Sequence, residues 1–398
     1  MSATDFSHLI NELALADQLR NRRIIDGPQD ASMIVDGTRM IAFASNDYLG
    51  LANHPKVVEA AMRGLKRYGL GAAASHMVSG HSRAHHALEE ALAEFVRLPK
   101  ALLFGSGYAA NLGIITALAG RGDAIFADKL NHACLNDGAL LAKATGASFK
   151  RYPHNDLTKL EALLTSAAPG ARKLIVTDAV FSMDGDIAPV PELLALAEKY
   201  DALLVLDDAH GFGVLGYRGL GVLEHFNLLH PRASERIVYM ATLGKAAGGY
   251  GAFVAGSEDI IEWIMQSART YLFTTATPPA IAAAMQASLG VMREDHERRK
   301  HLRMLIDFFQ DSLRLQYAKM PFSQTAIQPI IVGSNANAVA FADALRERNF
   351  FVPAIRPPTV PVGSARLRVS LNANHTADDL FDLVTALTDL DVLLMRPE

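Results

Sequence analysis

Between Ala101 and Lys245 the chain alternates short continuous apolar runs with longer stretches in which apolar residues recur at helical spacing. ALLFG, DAIFAD, SFKRYP, KLIVTDAVF, ALLVLDDAH and IVYMATLGK read as strands. YAANLGIITALAG, NHACLNDGALLAKATG, DLTKLEALLTSA and PELLALAEKY read as the helices between them. Apolar runs without alternation predict strands buried on both faces, so the expected fold class is α/β, a mainly parallel sheet flanked by helices. Sheets of this kind bind ligands beyond the carboxyl ends of their strands.

On the amino-terminal side the pattern predicts an amphipathic helix, a short strand at Met40–Phe43, a loop at ASNDYLGL, and a helix from Pro55 to Tyr68 stopped by Gly69. On the carboxyl-terminal side it predicts a helix packing Trp263, two helical runs between Pro279 and Leu315, and a smaller α+β region of strand, helix, two strands and helix. REDHERRKH, between the two helical runs, reads as a solvated face. The expected division is a segment of helix and strand at 1–45, a large ligand-binding domain at 46–285, and a small carboxyl-terminal domain at 286–398.

A chain of 398 residues, half of them hydrophobic, has enough apolar surface for more than one core. Its net charge of -4, with both signs interspersed, gives no reason to expect nucleic acid or an anionic membrane as partner. The single cysteine, Cys134, reads as a small packed residue of a cytoplasmic protein. Asp5, Glu12 and Asp17 break the charge order of a secretory leader, and no apolar run reaches the roughly 18 residues of a membrane span.

Polar residues gather at the predicted strand ends: Ser106, Gly107 and Tyr108; Ser182; Asp207 and His210; Thr242 and Lys245. Lys245 follows the strand Ile237–Ala241 and precedes Gly248, Gly249 and Gly251, which are expected to let the backbone approach a ligand. A partly desolvated amine loses its proton more readily, and so can bond to a carbonyl or act as a base. If the carbonyl belongs to a pyridine aldehyde, Asp207 can keep the ring nitrogen protonated, His210 can bond the ring oxygen and His132 can stack on the ring. The helix start near Tyr108 offers N–H groups to a phosphate. His81, His85 and Glu89 fall at successive helical i,i+4 positions, but without an HExxH order or a cysteine ligand no metal is expected.

SNDYLGL at Ser45, SGYAAN at Ser106, DKLNHAC around His132, VFSMDGD at Val180, DDAHGFG at Asp207, TLGK at Thr242 and TTATPPA at Thr274 occur in this order over nearly the whole chain. Together they resemble the α-oxoamine synthases, pyridoxal-phosphate (PLP) enzymes of the aspartate-aminotransferase fold, fold type I. The stretch AIRPPTVPVGSARLRVSL resembles the branch that condenses L-alanine with a pimeloyl thioester in biotin biosynthesis.

The resemblance implies that Lys245 carries the cofactor, with Asp207 and His132 also catalytic. Gly107, Tyr108, Ser182, His210 and Thr242 match cofactor contacts. Thr274 and Thr275 match a segment reaching the phosphate of a neighbouring subunit, which implies a homodimer with shared sites. Arg20, Asn46, His132, Thr359 and Arg368 match substrate contacts, with Arg368 on the amino-acid carboxylate and Arg366 expected to point away. The rivals are another acyl condensation, an aminotransferase, a scaffold without chemistry, and a nicotinamide dehydrogenase. No GxGxxG follows the first strand, which speaks against the last.

Overall fold

The computed structural model describes residues 6–230 and 235–395. Contacts divide the chain into one unit of residues 51–182 and 187–299 and another of residues 1–50, 183–186 and 300–398. The amino-terminal residues thus group with the carboxyl-terminal ones instead of standing apart at 1–45, and the later boundary falls at Arg299/Lys300.

The strands in chain order are β1 (Ile25–Asp26), β2 (Ser32–Val35), β3 (Thr38–Ala42), β4 (Lys100–Phe104), β5 (Ala124–Asp128), β6 (Ser148–Tyr152), β7 (Lys173–Asp178), β8 (Ala202–Asp207), β9 (Ile237–Thr242), β10 (Ala252–Gly256), β11 (Ile327–Gly333), β12 (Phe350–Phe351), β13 (Ala354–Ile355) and β14 (Ala365–Ser370). The larger unit holds a seven-stranded sheet in the order β4-β10-β9-β8-β7-β5-β6. All its pairings are parallel except those of β10, which runs antiparallel to both β4 and β9. Residues 243–251 joining β9 to β10 are too few for the crossover of about a dozen residues that a parallel partner needs.

Every residue of β5 and β10 is buried, as is all of β9 up to Thr242, so the apolar runs line a core covered on both faces. The helix Pro55–Tyr68 starts with its proline in the first turn and ends on Gly69 at φ 77°, a conformation that favours glycine. Gly248 and Gly249 are close-approach residues, but to the protein itself. A Cβ on Gly248 would lie 2.4 Å from the Leu51–Ala52 backbone, and one on Gly249 would lie 2.1 Å from Met285.

In the other unit, β1, β2 and β3 form an antiparallel set to which β12 adds in parallel, Phe350 opposite Ile41. This pairing joins residues far apart in sequence, and no local pattern announces it. A second sheet has the order β11-β14-β13, all antiparallel. The helix Ser7–Leu15 forms, but none of its residues is buried. Arg299, in the charged run expected to be solvated, is 4% exposed and donates to Met292 O at 2.5 Å. Trp263 is half exposed, its indole N–H donating to Ala117 O at 2.8 Å. Among the described residues no helix is long and apolar enough to cross a membrane.

Candidate active site

At the carboxyl ends of β7, β8 and β9 lies a cavity of about 190 Å³. Its wall includes Gly107, Tyr108, His132, Ser182, Asp207, His210, Thr242 and Lys245, eight of the residues singled out in the sequence. Strand register explains the convergence: Asp178 at the end of β7 sits opposite Asp207 at the end of β8, and Asp207 sits opposite Met240 of β9. Lys245 follows β9 by a turn, and its Nζ lies 2.8 Å from Nε2 of His210, which follows β8 in the same way.

Asp207 is 6% exposed. Its carboxylate accepts Asn111 Nδ2–H at 2.7 Å and the Ala209 backbone N–H at 3.0 Å. Both donors are neutral, so the buried charge is hydrogen-bonded but not neutralised, an arrangement that favours a cationic ligand group. The neighbouring Asp208 points elsewhere: its Oδ2 accepts Val222 N–H and Tyr239 Oη–H, each at 2.7 Å, and so ties the following turn to β9. Burial raises its pKa to about 7.

His132 is solvent-exposed overall, with one side turned inward. Its Nδ1 lies 2.8 Å from Cys134 Sγ, and its backbone N–H donates to Asp178 Oδ2 at 3.1 Å. Burial pushes the Cys134 thiol up, so the sulfur keeps its proton and can donate it to Nδ1. Desolvation of the inward side pulls His132 below the usual histidine range, outweighing the opposite effect of Asp207. A neutral imidazole results, suited to lying flat on an aromatic ligand. Asn131 fixes this loop by donating to Val176 O at 2.8 Å and accepting Asp178 N–H at 3.0 Å.

Ser106 caps the helix Gly107–Leu118, its Oγ accepting Ala109 N–H at 3.1 Å. The first-turn N–H groups of Gly107 and Tyr108 have no acceptor within the helix, and both residues line the cavity. The Tyr108 hydroxyl donates to Asp137. Thr242 Oγ1 donates to Gly251 O at 3.0 Å and accepts Gly244 N–H at 3.2 Å. Thr274 and Thr275 are exposed and take no part in this cavity.

The remaining candidates lie in the other unit. Arg20 Nη2 donates to Thr359 Oγ1 at 3.3 Å, so two exposed residues that the resemblance had marked as substrate contacts meet across most of the chain. The Pro357–Pro358 peptide preceding Thr359 is cis. Arg368 is 5% exposed, and it donates to Asn46 Oδ1 at 3.1 Å, Ser370 Oγ at 2.9 Å and Tyr48 Oη at 3.3 Å. The expectation for Arg366 is corrected here. Two residues apart on β14, Arg366 and Arg368 share a face by the period of the strand. They differ in partner, since Arg366 Nη1 is 2.6 Å from Asp184 Oδ1, an ion pair that occupies its guanidinium.

Asn111 and Asp178 were not singled out in the sequence, and Cys134 was read only as a packed residue. Asp178 carried the available signal, an acidic residue closing an apolar parallel strand just as Asp207 does. Asn111 lay inside a quoted motif but one helical turn past its start, and only the fold brings it to Asp207.

A family model described as aminotransferase class I and II matches residues 38–387. The chain belongs to the aminotransferase class I and II family. Within this family it is 57% identical to an 8-amino-7-oxononanoate synthase of Methylobacillus flagellatus, over 94% of this chain and 92% of the relative. Among solved structures, a serine palmitoyltransferase of Sphingomonas wittichii superposes with TM-score 0.90 at 30% identity, covering 99% of both chains. An SPT structure with PLP matches with TM-score 0.89 at 28% identity, again over 99% of both. The family assignment confirms the expected fold class, the large mainly parallel sheet with flanking helices.

Proposed function

We propose that this chain is a PLP-dependent acyltransferase that condenses L-alanine with a pimeloyl thioester to 8-amino-7-oxononanoate in biotin biosynthesis. One observation carries the reading: the Lys245 amine and the buried Asp207 carboxylate line a single cavity at the ends of adjacent strands. The identity to named 8-amino-7-oxononanoate synthases supports the choice of reaction.

The residues fit PLP. Asp207 presents a buried anion held only by neutral donors, and Asp178 Oδ1 on the same wall lacks any hydrogen-bond partner. Gly107 and Tyr108 present unpaired helix N–H groups suited to the phosphate. When bound, PLP supplies an aldehyde that bonds reversibly to amines and a ring that withdraws electrons from the carbon next to the amine.

Lys245 Nζ would hold the PLP aldehyde and would serve as the base for the α-proton of alanine. Asp207 would keep a proton on the ring nitrogen, and Asn111 holds that carboxylate in place. His132 would cover the ring, its orientation set by Cys134 and Asp178. Ser182 and His210 would contact the ring oxygen and Thr242 the phosphate, while Thr274 and Thr275 would reach the phosphate held by a neighbouring subunit. Arg368 receives the alanine carboxylate through its planar fork, while Arg20, Asn46 and Thr359 contact substrate. A carbon–carbon bond forms between the alanine α-carbon and the acyl carbonyl, the thiol leaves, carbon dioxide is lost and a proton returns to the α-carbon. The role of Thr274 and Thr275 implies a homodimer, and the lone cysteine and interspersed charge support a cytoplasmic location.

The structural likeness to serine palmitoyltransferase supports a second reading, the same chemistry on another amino acid and acyl thioester. Purified protein with PLP is to be given alanine, glycine or serine, with pimeloyl-CoA, pimeloyl-acyl carrier protein or palmitoyl-CoA, and thiol release followed. Turnover with alanine and a pimeloyl thioester, yielding the mass of 8-amino-7-oxononanoate, is expected. Turnover only with serine and palmitoyl-CoA would replace this function by the second.

A further inference from the structure

The helical face expected for His81, His85 and Glu89 does not form, because the helix Arg83–Val96 opens with Ser82 as its N-cap and leaves His81 outside. His85 is committed elsewhere. Its Nδ1 accepts the Ser82 backbone N–H at 3.0 Å, and its Nε2–H donates to Thr277 O at 2.7 Å. With both ring nitrogens engaged, His85 has no lone pair for a ligand. His86 takes its place: one donor atom each from His81, His86 and Glu89 lies within 4.8 Å of the other two.

We propose that His81, His86 and Glu89 form a binding site for a divalent transition metal of the zinc type, with a fourth position open to water. Two imidazoles and one carboxylate are a donor set that zinc accepts while keeping such an open position. Zinc ligand atoms about 2.0–2.1 Å from the ion stand roughly 3.4 Å apart. Closing from 4.8 Å to that spacing asks for side-chain rotation, with the backbone left where it is.

Supporting hydrogen bonds already orient the donors, as they do around metal-binding histidines generally. His81 Nδ1 is 3.0 Å from His76 Nδ1, and its other nitrogen, Nε2, faces Glu89 Oε2 at 3.9 Å. His76 is 8% exposed and stacked on Tyr271 with ring centroids 5.0 Å apart. With His81 Nδ1–H as the donor, His76 Nδ1 is the acceptor. That bond sets the His81 tautomer with the Nε2 lone pair toward Glu89. Glu89 is fixed from behind, its Oε1 accepting Leu103 N–H at 2.9 Å. Glu90 Oε1 stands 3.5 Å from His86 Nε2 and places a further carboxylate beside the set.

The site adjoins the segment bearing Thr274 and Thr275. Ala276 N–H donates to Ala74 O at 2.9 Å, and Thr277 O receives His85, so an ion at His81 would brace this loop pair. The inference does not rest on the proposed reaction.

The test is calorimetric titration of tag-free, PLP-loaded, chelator-treated full-length protein with Zn²⁺ near neutral pH. One ion per chain is expected. His86→Ala, at an exposed position, and Glu89→Gln should each weaken binding at least about 10-fold, and His76→Phe about 10-fold through the lost orienting bond. His8→Ala, on an exposed helix, serves as control and should change nothing. Absence of stoichiometric binding would overturn the proposal, as would an isotherm unchanged in both His86→Ala and Glu89→Gln with folding verified by circular dichroism.

Discussion

Lys245 Nζ and His210 Nε2 stand 2.8 Å apart, each on the turn that follows one of two adjacent parallel strands. The contact sets where the amine points. His210→Phe keeps a ring but removes the acceptor, and should lower kcat roughly 10- to 100-fold, since small misplacements of a reacting group cost about that much. Steady-state kinetics should show KM for the thioester little changed.

Asp207 acts through charge. Asp207→Asn retains the shape and the Asn111 neighbour but not the anion, so kcat should fall about 100-fold or more while PLP still binds. Activity close to wild type would remove Asp207 from the proposed role.

Arg368 donates to Asn46, Ser370 and Tyr48 from a nearly dry position. Lysine has no planar fork to hold these partners and a carboxylate at once. Arg368→Lys should raise KM for alanine about 10-fold, near 1.4 kcal/mol, and raise KM for the acyl thioester much less. Equal effects on both would assign Arg368 a structural role alone.

His375 ties the smaller unit together, with Nδ1 accepting Asn372 N–H at 3.0 Å, Nε2 donating to Ala42 O at 3.1 Å, and the ring stacked on Phe43 at 4.2 Å. Burial lowers its pKa from 6.5 to about 4. In this window the unfolded chain binds a proton that the folded chain refuses, so stability falls as pH drops from about 6.5 toward 4. Between about pH 6.5 and 5 the loss should be about 1.6 kcal/mol. Urea unfolding should show that slope in wild type, and a flatter one in His375→Asn despite lower stability near neutral pH.

The large sheet could be read from the sequence because most of its strands are apolar runs, and β7, β8 and β9 carry polar residues at the same end. Lys245, Asp207, His210 and His132 were legible for that reason. Pairings between distant segments were not: Phe350 beside Ile41 and Arg20 against Thr359 have no local signature. Arg366 was misread by neglecting that strand side chains repeat every second residue. The close-approach glycines were recognised, but Gly248 and Gly249 meet Leu51 and Met285 and not a ligand. His81 was assigned to a helix that begins after it, since an N-cap serine fits the helical period as well as an interior residue does.

The account depends most on covalent attachment at Lys245. Borohydride reduction of the PLP-loaded protein, followed by peptide mass mapping, should find the pyridoxyl group on the peptide containing Lys245, and Lys245→Ala should carry none. Label on a different lysine, or a wild-type protein that takes up no label, would contradict it.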